Sequence, residues 1–68
     1  MTVELNGAAI ELPEGASVAD AVGRLGTAAE GRGIAVAVDG EVVPRSAWSN
    51  TGLSEGQRIE IVGAVQGG

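Results

Sequence analysis

The sequence predicts an α+β fold, a mixed sheet of four to five strands packed on one main helix. Three observations predict it. Two alternating stretches flank an Asn6-Gly7 pair, one short apolar stripe at helical spacing follows, and alternation resumes from Ile34 towards the end of the chain. A helix of about eight to ten residues cannot bury its stripe alone and must lie across a sheet.

Val3 and Leu5 alternate with Thr2, Glu4 and Asn6, and Ile10 and Leu12 alternate with Ala9 and Glu11, so residues 2–6 and 8–12 form a hairpin around Asn6-Gly7. Pro13-Glu14-Gly15 ends the second strand. Ser17-Val18-Ala19-Asp20 is a helix start in which Ser17 accepts from first-turn amides and Asp20 sits at the positive end of the dipole. Val18, Ala21, Val22 and Leu25 make one apolar stripe, with Gly26 as the C-terminal cap. Gly31-Arg32-Gly33 breaks the chain. Ile34, Val36 and Val38 then face the helix, while Ala35 and Ala37 flatten the opposite face of the sheet. Asp39-Gly40 is a second tight turn into a short strand over residues 41–43, which Pro44 stops. An irregular crossing, residues 45–57, contains Trp48, Leu53 and Glu55-Gly56. Residues 58–62 alternate into a last strand.

This order is most economically a β-grasp, with the last strand central beside the first and parallel to it. A ferredoxin-like sandwich would need a second helix that residues 45–57 are too broken to supply. The predicted core is Leu5, Ile10, Val22, Leu25, Ile34, Val36, Ile59 and Ile61. Residues 1–63 make the domain and residues 64–68 a tail.

Composition narrows the function. At 68 residues, a single domain leaves too little interior for a deep private active site. With no Cys and no His, disulfides, thiolate chemistry, the common zinc sites and the usual general base are all missing, so the chain reads as neither an enzyme nor a metal protein. A net charge of −5 repels phosphate backbones and argues against nucleic acid. The start of the sequence carries Glu4 and Asn6 rather than a basic and then apolar leader, and its longest apolar run is five residues, so a soluble cytoplasmic protein without a membrane segment is expected. Lysine is absent; a chain that activates its own terminus gains from lacking side-chain amines, but codon bias is the simpler reading.

The last strand runs directly into Gly63-Ala64-Val65-Gln66-Gly67-Gly68. Two terminal glycines have no Cβ, so the backbone can thread a narrow slot in another protein and present a carboxylate there. A frayed end is the bland alternative. Trp48 reads first as a lid over the core and second as a ligand platform. Arg45 either pairs with a carboxylate or contacts a partner. Ala35 and Ala37, with Val62, could form an apolar docking patch, though alanines on an open sheet face are also ordinary.

Leu5-Asn6-Gly7, Val42-Val43-Pro44-Arg45 with Trp48 three residues on, the run from Leu53 through Glu55-Gly56-Gln57-Arg58 to Val62, and the terminal Gly67-Gly68 together resemble the ThiS-type sulfur carriers of thiamine biosynthesis, which are ubiquitin-like β-grasp domains. The resemblance implies a cycle carried by Gly68. An E1-like adenylyltransferase, using ATP with Mg, would adenylate its carboxylate; a persulfide sulfur donor would convert the adenylate to a thiocarboxylate; thiazole synthase would accept the sulfur. The carrier itself would bind no cofactor and act as a co-substrate. Gly67 matches the penultimate family glycine, and Val65 and Gln66 would line the docking tail, although the family keeps more apolar residues before its glycines. An α-carboxylate is anionic at neutral pH and a poor acyl electrophile, which agrees with a need for activation. Two alternatives stay open, a carrier like the molybdopterin-synthase small subunit and a β-grasp interaction or modifier module.

Overall fold

The computed structural model describes residues 1–25 and 33–63, Leu25 by its backbone alone. Strand β1 (Thr2–Leu5) turns back into β2 (Ala8–Glu11), helix α1 (Val18–Leu25) follows, and β3 (Ile34–Val38) turns back into β4 (Glu41–Val43). A 3₁₀ helix over Arg45–Asn50 then leads to β5 (Arg58–Gly63). The sheet has five strands in the order β2-β1-β5-β3-β4. The last strand is central and parallel to the first, with Glu4 beside Arg58 and Leu5 beside Ile59, as expected of a β-grasp. It runs antiparallel to β3, from Val38 opposite Ile59 to Ile34 opposite Gly63.

Both hairpins turn on the residues the sequence names. Asn6 and Gly7 have φ of 50° and 86°, and Asp39 and Gly40 have φ of 51° and 86°. Two successive positive φ values are the signature of the type I′ turn, whose twist matches that of the flanking strands. Asn and Asp are the side-chain-bearing residues that tolerate this region best.

Helix α1 begins with a reciprocal cap. Ser17 N–H donates to Asp20 Oδ2 at 2.8 Å, and Asp20 N–H donates to Ser17 Oγ at 3.3 Å. Its stripe lies on the sheet, with Val18 and Ala21 fully buried and Val22 nearly so. The Gly26 cap and most of the Gly31-Arg32-Gly33 break lie outside the described residues.

The core comprises Val3, Leu5, Val36, Val38, Ile59 and Ile61 from the sheet, the helix stripe, and Leu12, Ala16, Trp48 and Leu53 from the connections. Five of the eight predicted core residues are buried, and Ile10 and Ile34 are partly buried against them. Ile10 sits on the edge strand β2 and Ile34 is the first residue of β3. The side chain of Leu25 is outside the described set.

The crossing is more regular than its sequence suggests. Pro44, extended at φ −65° and ψ 149°, leads into the 3₁₀ helix, and Trp48 turns its ring into the core while its Nε1–H donates to the Val43 carbonyl at 2.9 Å. That bond satisfies the one polar atom of a buried indole, so Trp48 is the core lid rather than a ligand platform. Val18 N–H donates to the Thr51 carbonyl and Leu53 N–H to the Ala16 carbonyl, both at 2.9 Å, which stitches the crossing to the start of the helix.

Candidate functional site

Strand β5 is the element on which any tail chemistry depends, because it carries the chain through the middle of the sheet to residue 63. On the β1 side its ladder stops early. Asn6 N–H donates to the Ile59 carbonyl at 2.9 Å, after which the backbone of Asn6 turns away into the hairpin. Its side chain does not turn away. Ile61 N–H donates to Asn6 Oδ1 at 2.8 Å, and Asn6 Nδ2–H donates to the Ile61 carbonyl at 3.2 Å. In a parallel ladder the Asn6 carbonyl and the next inward amide would occupy those places, so the carboxamide stands in for a missing peptide group.

At the other end of β5 the second turn does something similar. Asp39 N–H donates to the Arg58 carbonyl at 2.8 Å, and Arg58 N–H donates to Asp39 Oδ1 at 3.0 Å, again a side-chain oxygen in the place of a backbone carbonyl. Gln57 Nε2–H donates to Asp39 Oδ2 at 3.2 Å. Strand β5 is thus gripped at its start from the β3 side and near its end from the β1 side.

The face of the sheet away from the helix divides in two. Cross-strand partners share a face, so the register puts Thr2, Glu4, Glu11 and Arg58 on its polar half, where Arg58 Nε lies 3.9 Å from Glu4 Oε1 and Thr2 Oγ1–H donates to Glu11 Oε2 at 2.6 Å. The other half pairs Ala35 with Val62 and Ala37 with Val42, with Glu60 beside them. Val42 and Val62, 72% and 63% exposed, are the large apolar side chains left in solvent among the described residues. The expected patch of Ala35, Ala37 and Val62 is therefore contiguous, and Val42 joins it. That residue lies in a three-residue strand too short to reveal its phase; only the pairing with β3 does. Val62 leads through Gly63 directly to the tail. Of the other expected site residues, Val65, Gln66, Gly67 and Gly68 lie outside the described residues.

Among the described residues little else suggests chemistry. A shallow cleft of about 310 Å³ opens beside Thr2, Glu4, Ala9 and Glu55, but Glu55 accepts from Thr2 N–H and Glu4 faces Arg58. Among the described residues no group of three or more His, Cys, Asp or Glu is placed to hold a metal ion, and no helix is long and apolar enough to cross a membrane.

Comparison with known proteins bears on the whole chain. The model of the ThiS family matches residues 2–68, from β1 to the final glycine. The chain belongs to the ThiS family. The crystal structure of the thiamine biosynthesis protein ThiS from Geobacter metallireducens superposes with a TM-score of 0.81 at 26% identity, covering 100% of both chains. No curated protein matches this ThiS-family chain.

Proposed function

We propose that this ThiS-family chain is a sulfur carrier of thiamine biosynthesis, a co-substrate rather than an enzyme. The observation that carries the reading is the family match through residue 68, which takes in Gly67-Gly68, at the end of a chain whose central strand leads straight into that tail. Full-length likeness to a solved thiamine biosynthesis protein supports the same pathway. In this reading the Gly68 carboxylate attacks the α-phosphorus of ATP within an E1-like adenylyltransferase that holds the Mg, and pyrophosphate leaves. A persulfide sulfur then displaces AMP from the acyl carbon, and cleavage of the sulfur–sulfur bond by a thiol leaves the thiocarboxylate. Thiazole synthase takes that sulfur. Five extended residues, 64–68, reach roughly 16 Å, enough to place Gly68 in a nucleotide pocket while the sheet stays outside.

Docking falls to the apolar half of the open face, Ala35, Ala37, Val42 and Val62, because it adjoins the root of the tail and is low enough to press flat against a partner. Glu60 and the overall negative charge favour a partner whose apolar surface is rimmed with basic residues.

The test is ATP–pyrophosphate exchange with the cognate adenylating enzyme. Deleting Gly68 removes the carboxylate from its place and should abolish exchange while leaving the melting temperature nearly unchanged; full exchange would make the Gly-Gly end a frayed terminus and end the carrier reading. Placing Glu at position 35, 37 or 42 should weaken association without unfolding the chain, because a carboxylate would have to be desolvated on docking. Intact mass of the protein from its native cell should show a species in which sulfur replaces one oxygen.

A further inference from the structure

We propose that Asn6 is a positioning residue for the tail, holding the end of β5, through Gly63, as the fixed root from which the tail is presented. The inference rests on the carrier reading above and deepens it. Strand β1 supplies backbone partners only as far as Ile59, through the Asn6 amide, and no β1 residue runs beside Val62 or Gly63. Past Ile59 the β1 flank of β5 is tied by the Asn6 carboxamide, which takes both the N–H and the carbonyl of Ile61. On the other flank, pairing with β3 finishes at Ile34 opposite Gly63. Remove the carboxamide, and the last three residues of the strand are held from one side at the very end of a ladder, where strands open most readily.

The consequence for delivery is entropic. A partner that seats the tail in a slot must also fix every residue of β5 that has come loose. Re-fixing one backbone residue weakens association roughly fivefold to thirtyfold. Once the tail is seated, the slot sets the geometry at the carboxylate. Loss of the Asn6 clamp therefore raises the KM for the carrier and leaves kcat nearly alone.

Asp39 supplies the control. It occupies the same position in the other type I′ turn and grips the same strand with the same kind of bond, but at Arg58, five residues before Gly63 and on the opposite flank. Glycine at either turn position keeps the positive φ and deletes the clamp, so N6G and D39G match in backbone chemistry and differ in which end of β5 they release. Both variants should melt at lower temperature. Amide hydrogen exchange on the free chain should then show Ile61 N–H losing protection in N6G and keeping it in D39G. In ATP–pyrophosphate exchange with the adenylating enzyme, N6G should raise the carrier's KM about tenfold with kcat within about twofold, a loss of binding rather than of chemistry, while D39G keeps the parent KM at a temperature where both are folded. Unchanged protection at Ile61 in N6G, or equal KM in the two variants, would overturn the proposal. No exchange with the parent chain would sink the carrier reading itself, and the purpose assigned to Asn6 with it.

Discussion

The Asn6-Gly7 and Asp39-Gly40 turns share a backbone and differ in one side-chain group, and the partners of each explain the difference. Asn6 faces both an N–H and a carbonyl of Ile61, so it must accept and donate, which a carboxamide does and a carboxylate cannot. Asp39 faces two donors, Arg58 N–H and Gln57 Nε2–H, which a carboxylate satisfies with both oxygens. Gln57 has little freedom to reverse its amide, because its Oε1 already accepts from Ser54 N–H at 2.8 Å. Asn-Gly and Asp-Gly are interchangeable as turn formers. They are not interchangeable here, because each also completes the ladder of a strand far away in sequence.

In this contrast β5 is anchored chiefly by its own core side chains, and the clamps fix its edges. Ile59→Ala tests the first part and has the largest expected effect. Ile59 is fully buried at the centre of the sheet, so truncation should cost about 2–5 kcal/mol, a large share of the roughly 3–10 kcal/mol expected for a domain this small. Denaturant unfolding measures it. A loss smaller than that of either clamp variant would mean that the edges, not the core, hold the strand.

Asn6→Asp comes next. It keeps the turn but aims a carboxylate at the Ile61 carbonyl and removes the donor, for an expected loss of about 2–3 kcal/mol at neutral pH. Ionisation at that position is disfavoured in the folded chain, so the fold holds the proton more tightly than the unfolded chain does. The loss is fully present above the carboxylate range and shrinks as pH falls through it, since a protonated carboxyl can again donate to Ile61. Melting curves of N6D against the parent across that range check the sign. A deficit that does not shrink at low pH would remove the donor argument.

The difference between the turns also marks how far the sequence is legible. Alternation, the helical stripe and the two turn dipeptides are local signals, and they place every strand and the helix, while the parallel pairing of β1 with β5 follows from the β-grasp as the most economical arrangement of those elements. They show that residues 6 and 39 form turns and nothing about what their side chains reach, since Asn6 and Ile61 are 55 positions apart. Val42 stayed hidden for a related reason, its face being set by its partner Ala37. The 3₁₀ helix, too short for a 3.6-residue period to emerge, is visible only as Pro44 followed by small and polar residues around Trp48. The Gly67-Gly68 tail has no periodic pattern of its own, and the family match takes it in without assigning it a role.

Asp39→Asn should be milder than its counterpart. The side-chain oxygen can still accept from Arg58 N–H, and only the Gln57 contact is set donor against donor. Both side chains are exposed enough for water to substitute in part, so a loss of about 1 kcal/mol is expected. A loss equal to that of N6D would show that charge at the turn, rather than donor and acceptor matching, sets the preference.

The smallest expected effect is the coupling between the two clamps, and it decides whether β5 behaves as two independently held ends or as one rigid bar. Arg58 and Ile61 are three strand residues apart, roughly 10 Å, and the clamps share no partner. At that separation the losses in N6D and D39N should add to within about 0.5 kcal/mol in the double variant. Ile59, fully buried between the two clamps, keeps the middle of the strand in place whichever edge is released, which is the physical ground for expecting additivity. A double-mutant cycle from denaturant unfolding measures the remainder. If the double variant loses much less than the sum, releasing one end already loosens the other, and D39G ceases to be a control that leaves the root of the tail untouched. If it loses much more, each clamp compensates for the other. Additivity, together with a KM change confined to Asn6, would separate a turn that only holds the strand from one that also aims the tail.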